Sequence, residues 1–197
     1  MNTLTIIAFG RSGCGKGTQL KLLSQKIEDI KSRKPLNFAT GDFFRELFSQ
    51  NNLTAKIAEE LTNTGQLQPL FLTISMWGNA FIENLKEDSD LFIDGFPRRL
   101  DEAKMLGDAF SFYKRDNIII LDFLVSRETS KSRMFKRGRT DDTAENSEIR
   151  LDWYDTDVIS GLGYLKTLPN YIYIPVDGEL SINEIHTDVM NKLSNYL

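Results

Sequence analysis

The residues best suited to chemistry stand near the start of the chain, where Gly10-Arg11-Ser12-Gly13-Cys14-Gly15-Lys16-Gly17-Thr18 follows a short apolar run and Thr18 opens a helical pattern. A strand, a glycine loop and a helix in that order make an anion cradle. Glycines accept backbone angles closed to other residues and let amide N–H groups face oxyanions, while the helix N-terminus adds favourable partial charge. Lys16 supplies a mobile full charge for a chain of phosphates. The run departs from G-x-x-x-x-G-K-[ST] in one respect: Gly17 occupies the hydroxyl position and Thr18 comes one residue later.

Further charge is gathered in Arg133-Met134-Phe135-Lys136-Arg137-Gly138-Arg139-Thr140-Asp141-Asp142, followed by Arg150. Arg133 and Arg137 are four apart, hence on one face of a predicted helix, and both can reach across one bound ligand. Two shorter motifs, Thr40-Gly41-Asp42-Phe43-Phe44-Arg45 and Asp94-Gly95-Phe96-Pro97-Arg98, each follow an apolar run and end in an arginine. Arg45 and Arg98 suit bidentate clamping of a phosphate.

These residues need a scaffold, and the apolar pattern provides one. Short apolar runs at residues 4–9, 36–39, 91–93, 118–125 and 171–176 read as buried strands. Residues 18–30, 101–113, 126–136 and 181–196 carry apolar positions three or four apart and read as helices. The alternation predicts an α/β fold with a mostly parallel sheet and a ligand site at the carboxyl ends of its strands. Residues 40–89 hold more helical sequence than one crossover requires, so a helical arm is expected to project there.

A length of 197 residues with 41% hydrophobic and 26% charged residues fits a single domain spanning residues 1–197. The net charge of -4 gives no reason to expect a nucleic-acid or membrane surface as partner. Cys14 is the sole cysteine, so no internal disulfide forms. The first apolar run is too short for a signal segment and no stretch approaches a membrane span, which together predict a cytoplasmic location.

Taken together, the motifs resemble the adenylate kinase family, nucleoside monophosphate kinases of the P-loop NTPase superfamily, in a short-lid form. Its G-K-G-T, T-G-D-x-x-R, D-G-F-P-R, R-x-x-x-R and R-x-D-D patterns are matched in order, and Val176-Asp177-Gly178 resembles its last strand-to-helix turn. The resemblance implies a three-layer P-loop fold with a five-stranded parallel sheet. It also implies an arm that binds the nucleoside monophosphate at about residues 39–68 and a very short lid at about 132–142. The lid has no Cys/His set for zinc. The implied reaction is Mg²⁺-dependent in-line transfer from ATP to a nucleoside monophosphate. AMP is the first acceptor; GMP or CMP, or a catalytically silent nucleotide-binding regulatory module, are the alternatives.

Residue roles follow from the same resemblance. Gly13, Cys14, Gly15, Lys16, Gly17 and Thr18 would bind ATP, with Arg133 stacked on its base, Arg137 on its phosphates and Gly178 beside the base. Thr40, Arg45, the backbone at Gln66, Leu67 and Gln68, and Gly95, Phe96, Pro97 and Arg98 would hold the acceptor. Lys16, Arg98, Arg137, Arg139 and Arg150 would be catalytic, with Arg139 and Arg150 reaching the acceptor as well, and Asp94 would hold Mg²⁺ through water. Small-molecule nucleotides are the expected partners of a monomer. Two departures stand out: Ser12 replaces the family's proline, and Glu102 replaces a glutamine that reads the adenine edge. An ionised carboxylate only accepts, which suits guanine's two donors, whereas Thr40 favours AMP. Trp77 and Trp153 are expected to fill helix interfaces, and a lowered Cys14 thiol pKa beside Lys16 would make it oxidisable.

Overall fold

The computed structural model describes residues 3–139 and 142–197; of the expected lid, Thr140 and Asp141 lie outside the described residues. Five strands, β1 (Thr5–Phe9), β2 (Leu36–Ala39), β3 (Leu91–Asp94), β4 (Ile118–Leu124) and β5 (Tyr171–Asp177), form one parallel sheet in the order β2-β3-β1-β4-β5. The expected strands are thus all present, within one or two residues at their ends. Each is an unbroken or nearly unbroken aliphatic run, as a parallel sheet covered on both faces demands.

Alternate side chains of one strand enter opposite layers. Ile7 and Phe9 join a core built from α4 (Leu70–Asn84), α5 (Leu100–Phe112) and α8 (Ile159–Leu165), through Phe81, Phe110 and Leu165 among others. Leu4, Ile6 and Ala8 face α1 (Lys16–Lys31) and α9 (Ile182–Leu193), whose Leu23, Ile27, Val189 and Leu193 close the other side. The three-layer α/β arrangement is therefore the direct result of period-2 strands meeting apolar helix stripes.

After β2 the chain turns into α2 (Thr40–Phe48) and α3 (Leu53–Asn63), which carry a small core of their own: Phe44, Leu47, Ala55 and Ala58, with Leu72 and Met76 from α4 packed against it. This is the projecting helical arm. Beyond β4 come α6 (Arg127–Arg137), α7 (Ala144–Trp153) and a π-helical turn, Tyr154–Val158, that leads into α8. Side-chain caps mark the helix starts where the chain must turn sharply: Ser126 accepts from Thr129 N–H, Thr143 from Asn146 N–H, and Ser181 forms a capping box with Glu184.

The order β2-β3-β1-β4-β5 places β1 between β3 and β4, so the loop after β1 opens at the point where chain connections diverge to either side. Every strand delivers a motif at its carboxyl end: the glycine loop after β1, Thr40 after β2, Asp94 at the end of β3, Ser126 after β4 and Gly178 after β5.

Candidate nucleotide site

The glycine loop folds back over the end of β1. Gly13 has φ 84, and a methyl group there would stand 2.6 Å from the Ser130 carbonyl oxygen, so both conformation and space require glycine. Lys16 begins α1 and folds onto the loop: its Nζ donates to Gly10 O at 2.6 Å and Arg11 O at 3.1 Å. A bound phosphate chain would replace carbonyl dipoles with full charges. Cys14 is fully buried, with Sγ 3.5 Å from Lys16 Nζ, so the expected oxidisable thiol lacks the access that reaction needs.

A cleft of about 1300 Å³ opens above the loop. It is lined by the loop from Ser12 to Thr18, by Gly95 to Arg98, and by Arg45, Arg133, Arg137 and Arg139, so most residues singled out in the sequence meet here. Arg133 donates from Nη1 to Gly178 O at 2.7 Å, which ties α6 to the turn after β5 and joins the two residues expected at the donor base. Asp94 lies beside the loop, its Oδ2 3.4 Å from where a methyl on Gly17 would sit. Among the described residues no cluster of three or more acidic, His or Cys side chains could cage a metal. One open carboxylate beside a phosphate cradle fits an ion that draws its other ligands from phosphate and water.

The residues expected to hold the acceptor are arranged differently. A second, small cavity of about 10 Å³ is lined by Thr40, Leu67, Gln68, Gly95, Arg98 and Glu102, among others, which leaves space for about one water. Arg98 donates from Nε to Gly95 O at 2.7 Å, leaving its two Nη groups for an anion. Burial lowers the Arg98 guanidinium's pKa, against the charges of Glu102 and Asp94. Glu102 is 2% exposed and accepts from Arg98 N–H at 2.6 Å. Burial raises its carboxyl above the usual range, opposed by that hydrogen bond, by the Arg98 charge and by Thr73 and Trp77, which face it.

Several expected site residues have side chains engaged within the protein. Gln66 is exposed and bonds Thr64, so it does not reach the small cavity. Gln68 turns inward, donating to Ala58 O at 2.7 Å, and its carbonyl accepts from Arg99 Nη1 at 2.9 Å. The Phe96 ring stacks on Trp77 in the core, with centroids 5.8 Å apart, and offers only backbone to the cleft. Arg45 pairs with Asp42 on the exposed face of α2. Arg137 and Arg150 are drawn to Asp142: Arg137 binds it in a fork at 2.9 and 2.7 Å and Arg150 at 3.1 Å. Arg150 therefore stands back from the cleft in this conformation. Trp153 packs against the core and also lines the cleft, with the Arg98 guanidinium over its ring at 5.2 Å.

Two further residues gave little signal in the sequence. Asp122, the lone acid in β4, is buried below the loop, opposite Phe9, and accepts from Tyr173 OH at 2.9 Å. Arg11 reaches from the loop to Val125 O at 2.9 Å and to Asp155 at 2.6 Å in the π-helical turn, and Asp155 also binds Arg127 at 2.7 Å. An acid interrupting an aliphatic run, and an arginine inside a glycine loop, are the marks by which these could have been found.

A family model described as adenylate kinase matches residues 8–168. The chain is 32% identical over 196 residues to the adenylate kinase of Azobacteroides pseudotrichonymphae, spanning 98% of both proteins. It is 29% identical over 196 residues to that of Parabacteroides distasonis, again spanning 98% of both. Over 163 residues, 82% of each protein, it is 31% identical to the adenylate kinase of Encephalitozoon cuniculi.

Proposed function

The chain belongs to the adenylate kinase family, and we propose that it is a nucleoside monophosphate kinase moving the γ-phosphoryl group of Mg-ATP onto AMP. The observation that carries the reading is the convergence on one cleft of the glycine loop with Lys16, Arg98 beside the acceptor cavity, and Arg133, Arg137 and Arg139 from the lid side. Phosphoryl transfer needs two anionic groups held in line and positive charge around the group that moves. Few other chemistries call for so many cations around so little else.

In this mechanism Lys16 leaves the Gly10 and Arg11 carbonyls for the donor phosphates, and the loop amides bind the remaining oxygens. Arg133 and Gly178 O flank the donor base. Arg45 and Arg98 orient the acceptor's phosphate by paired hydrogen bonds. Arg137, Arg139 and Arg150 stabilise the charge spread over the transferring group, Asp142 holding two of them ready. A hydrated magnesium ion, when bound, would supply neutralising charge to the donor phosphates, and Asp94 would hold it through water. The residues named here all come from one chain, which supports a monomer organised as one domain with the arm at about 39–68 and the lid at about 132–142. A cytoplasmic location belongs to the same proposal; among the described residues no helix is long and apolar enough to cross a membrane.

Glu102 favours a second acceptor reading. Its carboxylate on the acceptor cavity can accept from both N1–H and the 2-amino group of guanine, whereas adenine offers one donor there. A coupled assay with Mg-ATP and each of AMP, GMP, CMP, UMP and dTMP tests both readings, with Lys16→Ala as control. Lysine-dependent turnover of AMP is the expected result. Turnover confined to GMP transfers the assignment to guanine. Nucleotide binding without turnover of any acceptor overturns the enzyme reading.

A further inference from the structure

The arm docks on α7 through contacts that the phosphoryl-transfer scheme leaves unused. Helix α3 ends at Asn63, and the next residues turn through Gly65 at φ 71. The last carbonyls of a helix have no partner within it. Here α7 supplies donors to this turn: Asn146 Nδ2 reaches Asn63 O at 2.8 Å and Trp153 Nε1 reaches Gly65 O at 3.1 Å. The approach is close, since a methyl on Gly65 would stand 3.2 Å from Asn146 Cα, Cβ and O. Asn146 is itself buried.

The spacing on α7 gives the contact its meaning. Asn146, Arg150 and Trp153 follow i, i+4, i+7, one face of a helix, so Arg150 stands between the two donors. The Trp153 ring lies under the Arg98 guanidinium, at 5.2 Å, while its N–H holds the arm. One indole thus touches the acceptor arm at its edge and the acceptor-phosphate arginine on its face.

We propose that Asn146 and Trp153 are positioning residues that latch the acceptor arm onto the face of α7 carrying Arg150 and hold Arg98 in line for the acceptor's phosphate. The inference rests on the kinase reading above. The latch raises the population of the docked arm, and apparent acceptor affinity scales with that population, whereas the latch's hydrogen bonds go to Asn63 and Gly65 and none to the glycine loop. Each hydrogen bond of this kind contributes about three- to tenfold in such an equilibrium.

The test compares Trp153→Phe, which keeps a ring under Arg98 but loses the donor, with Asn146→Ala and Trp153→Leu. The expected result for Trp153→Phe and Asn146→Ala is a rise of about three- to tenfold in the KM for AMP, with the KM for Mg-ATP within twofold of wild type. Trp153→Leu should also lower kcat, because Arg98 loses its stacking surface. Titration calorimetry with AMP and with Mg-ATP gives the same two affinities should turnover be absent, which separates failure of the latch from failure of the kinase reading. Hydrogen exchange at the Trp153 indole N–H of the wild-type protein, assigned by its loss in Trp153→Phe, needs no active variant; slowed exchange relative to a free indole is expected. Equal losses in AMP and Mg-ATP affinity, unchanged AMP affinity in both donor variants, or an unprotected indole N–H would each overturn the proposal.

Discussion

Asp142→Asn offers a direct test of how the lid arginines are held. Asp142 has a side chain only 1% exposed and accepts from Arg137 Nε and Nη2 at 2.9 and 2.7 Å and from Arg150 Nη1 at 3.1 Å. Breaking a buried ion pair costs about 3–5 kcal/mol, but the Arg137 side chain is 31% exposed and asparagine keeps one acceptor, so the expected loss is about 1–2 kcal/mol. For a chain of this size that lowers Tm by about 2–8 °C. The pH dependence supplies the sign. Burial works to raise the Asp142 carboxyl, yet the Arg137 hydrogen bonds and the Arg137 and Arg150 charges outweigh it and hold it below the usual range. A depressed carboxyl stabilises the folded state above its unfolded value of about 3.9 and loses that contribution as pH falls through the folded value. The stability gap between wild type and Asp142→Asn should therefore be full at neutral pH and close below about pH 4. Thermal melts across that range measure it, alongside kcat, which should fall about tenfold as Arg137 and Arg150 lose their common anchor. A gap that stays constant down to pH 3, or an unchanged kcat, would refute the reasoning.

Glu102→Gln should match wild-type stability near pH 4 and exceed it at pH 7, because a buried carboxyl with a raised pKa loses stability as pH rises through that window and the amide has no charge to desolvate. Melting curves at the two pH values check this, and the same variant should lower the KM for AMP relative to GMP; a variant less stable than wild type at pH 7 would count against it. Gly13→Ala forces a methyl to 2.6 Å from the Ser130 carbonyl at φ 84, so unfolding should become easier by at least about 2 kcal/mol and the KM for Mg-ATP should rise. Denaturant unfolding with a parallel ATP titration reads both effects, and wild-type values in either would show that the loop adapts without strain.

Local chemistry was legible in the sequence where one short segment carries both the fold signal and the site. β1 and the glycine loop are adjacent in the chain, so an aliphatic run and three glycines suffice to place Lys16 at a helix start. The same holds for Thr40 after β2 and Asp94 at the end of β3. Legibility fails where side chains choose among neighbours brought from afar. That Arg137 and Arg150 both turn to Asp142 depends on α6 and α7 meeting at an angle no spacing rule contains. Phe96 lines the cleft as its motif suggests, but that its ring stacks on Trp77 is not legible, because it depends on α4 laying an aromatic face against the end of β3.

The docking of the arm on α7 is the extreme case, for its acceptors are backbone carbonyls of Asn63 and Gly65 and carry no residue signature at all. Only the donors are encoded by type, and in the sequence Trp153 reads as a packing residue while Asn146 carries no signal. Their meaning comes from the arginine between them. On the proposal above, a helix that presents Asn146, Arg150 and Trp153 on one face ties the docked arm to the element that also carries Arg150. Arg98 keeps Gly95 O and the Trp153 ring, and Arg150 keeps Asp142, whether or not the arm is docked, so on this proposal docking acts on acceptor binding while the indole face keeps Arg98 in line.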